Sequence, residues 1–233
     1  MTEPKFSRAL IVGAGTGLGA ALARRFATAG MRVGLAARNT EKLALLAAEI
    51  AAATFRCDAA VPAGVERLFE AVDRDLGAPD VVVYNPALRV RGPLVDLEPS
   101  DVARAIAVGA FGGFLVAQQA ARRMLPNRHG AILFTGASAS VKGYAQSAPF
   151  AMAKFALRGL AQSLARELGP QGIHVAHIVI DGAIRPPDWP QPKGRPDSML
   201  EADAIAESCL GILAQPRSAW TFEIELRPWV ERF

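Results

Sequence analysis

Residues 9–19 read Ala-Leu-Ile-Val-Gly-Ala-Gly-Thr-Gly-Leu-Gly: an apolar run of strand length that ends in a glycine-rich turn. Residues 18–29 follow with helical apolar spacing and almost no helix breaker, and 31–36 form the next short apolar run. Strand, glycine turn, helix and strand therefore open the chain. The same alternation continues through a helix at 41–52, a strand at 54–57, a helix at 61–76 and a strand at 81–84 after a Gly-Ala-Pro-Asp turn. A longer helix at 99–124, a strand at 131–135, and a helix at 149–168 stopped by Gly169-Pro170 come next. A strand at 173–180, a helix at 201–213 and a strand at 221–226 complete the order. Short apolar strands alternating with helices call for a parallel sheet covered on both faces. The pattern predicts one α/β domain over residues 1–233, with a doubly wound, seven-stranded parallel sheet.

The chain's 233 residues, 51% of them hydrophobic, suffice for one full-sized core. The net charge of +4 is modest and scattered, with no basic block and no interleaved aromatic ladder, so nucleic acid is not an expected partner. Cys57 and Cys209 lie far apart among apolar neighbours and read as two reduced thiols. Three dispersed histidines add no local ligand set, so no metal site is expected. The first ten residues hold no long apolar segment, and the other apolar runs are short or broken; we expect a soluble cytoplasmic protein with no membrane partner.

Glycines between a strand and a helix let a pyrophosphate approach the amides at the helix start, where the helix dipole also favours negative charge. Residues 12–19, with Gly13, Thr16, Gly17, Leu18 and Gly19, occupy that place in the first strand-to-helix turn. Arg38 follows the second strand, where a carboxylate would select the free ribose of NAD; Ala36 and Ala37 supply none, and a guanidinium suits a 2'-phosphate. NADP(H) is therefore favoured over NAD(H). Asp58 after the third strand can accept from an adenine amine, and Asn85 after the fourth can hold its loop near the nucleotide. An Asp that opens a turn and an Asn that caps one are the plainer readings of the same residues.

With these residues in place the chain resembles the classical short-chain dehydrogenases/reductases, a family with a Rossmann fold, over essentially its whole length. Gly13, Gly17 and Gly19 match the glycines of that family's TGxxxGxG motif, with Val12 in place of Thr. Asp58 matches its adenine-side aspartate, and Tyr84-Asn85-Pro86-Ala87 stands where the family has NNAG. Asp181-Gly182 stands where Pro-Gly follows the sixth strand, with Ile184 continuing toward the nicotinamide. The resemblance thus implies a cofactor site of Gly13, Thr16, Gly17, Leu18, Gly19, Arg38, Asp58, Asn85, Ala87, Lys154, Gly182 and Ile184. It also implies self-association as a homodimer or homotetramer through the long helices at 109–124 and 151–168, which are rich in Ala and Gly.

The resemblance further implies a Ser, a Tyr, a Lys and often an Asn around the reacting carbonyl. The YxxxK match here is Phe150-Ala151-Met152-Ala153-Lys154, with the lysine intact and a phenyl ring in place of the phenol. A phenyl ring has no exchangeable proton and cannot serve as the general acid. Gly109 occupies the asparagine position. The usual spacing puts the serine at Ala137, whereas a loop shorter by one residue puts it at Ser138, which we assign; a turn serine bonded to the backbone is the alternative. Tyr144, six residues before Phe150, is a candidate displaced acid. His177 is better read as a satisfied sheet histidine, and His129 and His174 as turn or strand-edge residues.

The candidate catalytic set is therefore Ser138, Lys154 and Tyr144. The segment 186–197, with five prolines in twelve residues, reads as a substrate loop anchored by Trp189. Two functions fit: an NADP-dependent oxidoreductase acting on a small apolar carbonyl, alcohol or related unsaturated compound through an atypical proton donor, or an NADP-binding regulatory or structural protein with weak or no turnover.

Overall fold

The computed structural model describes residues 6–230 and shows a single sheet of seven strands in the order β3-β2-β1-β4-β5-β6-β7. The strands are β1 (Arg8–Val12), β2 (Arg32–Ala37), β3 (Ala53–Arg56), β4 (Val81–Tyr84), β5 (Gly130–Thr135), β6 (Ile173–Ile180) and β7 (Glu223–Leu226). Every neighbouring pair is parallel. The chain reverses its direction of travel across the sheet between β1 and β4, and ligands of such sheets bind outside the strand ends at that switch point.

Helices α1 (Leu18–Thr28) and α7 (Ala202–Ala214) pack together on one face. There Ala9, Ile11, Val81, Val83, Leu133 and Ile178 meet them. The opposite face carries α3 (Pro62–Asp75), α5 (Gly112–Met124) and α6 (Ala148–Leu168), against Leu10, Val12, Val82, Tyr84, Ile132 and Phe134. Alternate residues of one strand thus serve two separate cores, which explains why the central strands are apolar throughout.

Two expected helices depart from a regular spiral. The stretch expected as a helix at 41–52 is a 3-10 turn, Glu41–Leu43, followed by the short α2 (Ala44–Ile50), which ends with Ala51 left-handed at φ 52°. The long helix expected at 99–124 is α4 (Pro99–Ile106), a π-helical stretch Ala107–Phe111, and α5. A wider turn redirects backbone carbonyls out of the helical ladder. Here the buried Tyr84 hydroxyl donates to the Val108 carbonyl. Room for that phenol comes from Gly112, where an added Cβ would lie 2.4 Å from the Tyr84 hydroxyl. Gly109 serves a different contact, since a Cβ there would come within 2.6 Å of the Ala153 Cβ on α6. Residues Pro99–Asn127 are long and apolar enough to cross a bilayer by length and composition alone, yet they pack along α3 and α6 over the sheet.

Candidate active site

The turn after β1 is shaped by one strained position. Gly13 has φ +81°, and a Cβ on it would strike the Pro86 backbone nitrogen at 2.6 Å, so no other residue fits. Asn85 locks the same turn from the next strand over, its Nδ2 donating to the Gly13 carbonyl at 3.0 Å. Gly17 caps α1 without a side-chain bond, and the first turn of the helix carries no acid. A Cβ at Gly15 or Gly17 would meet nothing within 4 Å, so the side of the turn they face is open. Gly19 packs on Ala14, where a Cβ would lie 3.0 Å from Cα. A helix start, an open turn and missing side chains fit a pyrophosphate.

Two cavities adjoin along the carboxyl ends of the strands and share Asn85 and Ala87. One, of about 470 Å³, is lined by Gly13, Arg38, Asn39, Lys42 and Asp58 among others. Asp58 is half-buried and its Oδ1 accepts from the Ala60 amide at 3.0 Å, so it both opens a turn and borders the cavity. Lys42, which sequence reasoning missed, stands with Arg38 as a second cation; neither has an ion pair or hydrogen bond among the described residues. The other cavity, of about 490 Å³, is lined by Leu18, Arg89, Thr135, Ala137, Phe150, Lys154, Gly182 and Ile184 among others. Thr16, Gly17 and Gly19 line neither: Thr16 is exposed beside Gly17 at the start of α1, and Gly19 joins that helix to the turn.

Lys154 is only 3% exposed, and its ammonium donates to the Thr135 carbonyl at 2.7 Å. The Thr135 hydroxyl donates to Asn85 Oδ1 at 3.0 Å, so one chain of hydrogen bonds runs from the glycine turn to the lysine. Burial pulls the Lys154 pKa down to about 8, and the nearby Arg89 charge adds to the effect. Phe150 lies one helical turn earlier on α6 and is 7% exposed. The Arg89 guanidinium carbon sits 4.8 Å from its ring centroid, and Lys154 Nζ lies 5.9 Å from the same point. No titratable acid stands at position 150.

A third cavity, of about 340 Å³, adjoins through Arg89 and Phe150 and is lined by Arg91, Ser138, Tyr144 and Ser147. The structure therefore brings Ser138 and Tyr144 together beside Phe150, with Tyr144 49% exposed at the rim. Ala137 borders the lysine cavity instead, and the buried Ser140 is structural, its Oγ accepting from the Ala137 amide at 3.1 Å. Asp181 explains its own place after β6: it is buried and pairs with Lys142 at 3.2 Å and Arg227 at 3.1 Å, tying the serine loop to the sheet end.

His177 is fully buried and takes no part in these cavities. Its Nδ1 lies 2.9 Å from Glu223, which also holds Arg158 through two contacts of 2.7 Å. Burial lowers the His177 pKa despite the carboxylate. His174 stacks on Trp220 and His129 on Phe6. The loop 186–197 is held at its base, where Ile184 bridges Leu200 and Arg185 forms two hydrogen bonds with Glu201, at 2.6 and 2.8 Å. Trp189 does not anchor it, being 61% exposed, because these polar contacts fix the loop before the indole reaches any core.

Such a cleft, with a glycine turn at a helix start and a buried lysine at the far end, defines a nucleotide-dependent α/β enzyme. Residues 7–186 match the model of the family described as short chain dehydrogenase. The chain is 31% identical to a D-threitol dehydrogenase of Mycolicibacterium smegmatis over 194 residues, covering 80% of this chain and 75% of that one. Among solved structures it resembles a short-chain dehydrogenase from Rhodopseudomonas palustris, with 36% identity, a TM-score of 0.83, and coverage of 96% of this chain and 99% of that one. A metagenomic short-chain oxidoreductase in complex with NADP has 27% identity and a TM-score of 0.84, with 97% and 98% coverage. The chain belongs to the short-chain dehydrogenase family and is an oxidoreductase of the NAD(P)-dependent kind.

Proposed function

We propose that this protein is an NADP(H)-dependent oxidoreductase that interconverts a small carbonyl compound of largely apolar body and its alcohol, using an atypical proton donor. The observation that carries this reading is the continuous cleft from Arg38 and Lys42, past the glycine turn, to Lys154. NADP bound to the metagenomic relative supports the cofactor choice. When bound, the nicotinamide supplies or takes up the hydride. Arg38 and Lys42 hold the 2'-phosphate, Asp58 the adenine amine, and Gly13, Thr16, Gly17, Leu18 and Gly19 the pyrophosphate turn. Asn85, Ala87, Gly182 and Ile184 flank the nicotinamide half, and Lys154 binds the ribose. Ser138 orients the carbonyl oxygen, and the proton comes from Tyr144 or from a water held by Ser138.

Changing Arg38→Ala should weaken NADP binding by roughly tenfold or more, the scale of one lost charge-assisted contact, and leave NAD nearly unaffected. Titration of both nucleotides by calorimetry checks it; equal weakening would remove Arg38 from the 2'-phosphate.

We also place the protein in the cytoplasm, where its two buried thiols, Cys57 and Cys209, stay reduced. It self-associates as a homodimer or homotetramer through residues 109–124 and 151–168, where Phe111, Phe114, Met152 and Phe155 are exposed. Sedimentation at micromolar concentration should show no monomer of 24.6 kDa. The loop 186–197 closes over the substrate when cofactor and ligand are both present.

A further inference from the structure

We propose that Arg89 and Arg91 form an anion subsite next to the reacting carbonyl, so that the substrate is a carbonyl or hydroxy compound carrying a carboxylate. The inference rests on the oxidoreductase reading of the cleft and names its substrate class more closely.

Both arginines belong to the connection after β4, and both line the 340 Å³ cavity that holds Ser138, Tyr144, Ser147 and Phe150. Arg89 also lines the neighbouring cavity that holds Lys154. No carboxylate lines either space. The nearby acids are already committed elsewhere: Asp181 to Lys142 and Arg227, Glu201 to Arg185, and Glu223 to Arg158. Asp96 and Glu98, on the same connection as the arginines, line neither cavity and pair with neither guanidinium. Among the described residues, Arg89 and Arg91 thus have no ion-pair partner, whereas Lys142, Arg185 and Arg227 are each paired.

Arg89 lies over the Phe150 ring, and the Gly92 amide beside Arg91 donates to the Gln146 carbonyl at 3.1 Å, which binds the backbone of this connection to the serine loop. Both side chains are exposed to an incoming ligand, and the planar fork of an arginine matches a carboxylate in two parallel hydrogen bonds. The remaining polar side chains of the cavity, Ser138, Tyr144 and Ser147, can only add hydroxyl donors to an anion. The Arg89 charge also adds to the lowering of the Lys154 pKa that burial causes, in keeping with the cavity these two residues share. A carboxylate bound between Arg89 and Arg91 would cancel part of that unfavourable charge. A neutral substrate would leave the Arg89 and Arg91 charges of that cavity without a counter-charge.

The test compares phenylglyoxylate with its methyl ester, a neutral analogue carrying the same ketone. Binding to the NADPH-loaded protein is followed by calorimetry, and turnover by the loss of NADPH absorbance. We expect the acid to bind at least tenfold more tightly than the ester, with the advantage shrinking as salt rises. Arg91→Gln and Arg89→Gln should each cut the acid-to-ester ratio about tenfold, and Arg91→Lys should restore part of it. Equal affinity for the two compounds, a preference unchanged in both variants, or no binding of the acid overturns the proposal. So does weaker NADPH binding in Arg89→Gln with the acid preference intact, which would assign that guanidinium to the cofactor. Selective, arginine-dependent binding without turnover upholds the anion subsite and counts instead against ketone reduction.

Discussion

Phe150→Tyr should reduce small aromatic ketones or diketones with NADPH on the order of 10² faster than the parent, the usual worth of a well-placed general acid. Phe150 lines both the Lys154 cavity and the cavity that holds Ser138 and Tyr144, so a hydroxyl at its ring edge would enter the space where we propose the substrate binds. Lys154 and Arg89 already flank the ring, at 5.9 and 4.8 Å from its centroid. Two cations favour the phenolate, so the new phenol would titrate below its free value near 10, closer to working pH. Lys154→Ala in the same background should erase the gain. With NADP affinity retained, absence of any gain would mean that the serine loop and the tight Gly109–Ala153 contact hold the substrate away from position 150. A parent already fast on these ketones would instead make Tyr144 or a bound water the sufficient donor.

The limits of that single change follow from packing. The family's asparagine cannot simply be restored with the tyrosine, because a Cβ at Gly109 would come within 2.6 Å of Ala153. Overpacking of this kind costs about 1–3 kcal/mol and moves the π-helical turn away from α6. The same turn hosts the Val108 carbonyl that accepts from Tyr84. Tyr84 is accommodated by the small residues Gly112 and Gly113 on the facing helix, whereas Gly109 gives room to Ala153 of α6.

Much of this was legible from one dimension. Strands β4 and β6 fall at the boundaries their apolar runs predict, and the glycine turn lies at the sheet's switch point, because period and turn chemistry are local properties. The π-helical stretch was not legible, since the group its Val108 carbonyl bonds is a tyrosine hydroxyl more than twenty residues earlier in the chain. Arg89, Arg91 and Lys42 were missed for another reason. An exposed basic residue is unremarkable in sequence, and these gain meaning only in space, Lys42 from its place beside Arg38 in one cavity and the two arginines from a cavity lined by no carboxylate. Asp181 looked like a departure in a binding loop and proves to be the clamp between Lys142 and Arg227.

Lys154 carries the second large effect, in stability. Its folded pKa of about 8 lies below the ordinary 10.5 because burial disfavours the ammonium. Below pH 8 both folded and unfolded chains carry the charge, and the fold bears the full cost, on the order of 3 kcal/mol for a shift of this size. Between 8 and 10.5 the unfolded chain holds the proton and the folded one does not, so stability from this group rises with pH through that window. Lys154→Met has no such group. Urea unfolding of the two proteins without cofactor should therefore show the parent gaining about 3 kcal/mol on the variant from pH 7.5 to 10.5. The difference isolates Lys154, because Cys57 and Cys209, which burial pushes up to about 11 and 12, titrate alike in both. Parallel curves would mean that water reaches the ammonium and that its burial is not costly. If the curves converge as expected, the protein carries a destabilising charge at neutral pH in the wall of its cleft. A group kept at that cost is explained by what it binds there, and a ribose hydroxyl or a carboxylate near Arg89 would lower the cost by solvating or neutralising the charge. NADPH and phenylglyoxylate should then raise the Lys154 pKa, so that reductive kcat, which reports the ternary complex, falls only above pH 8.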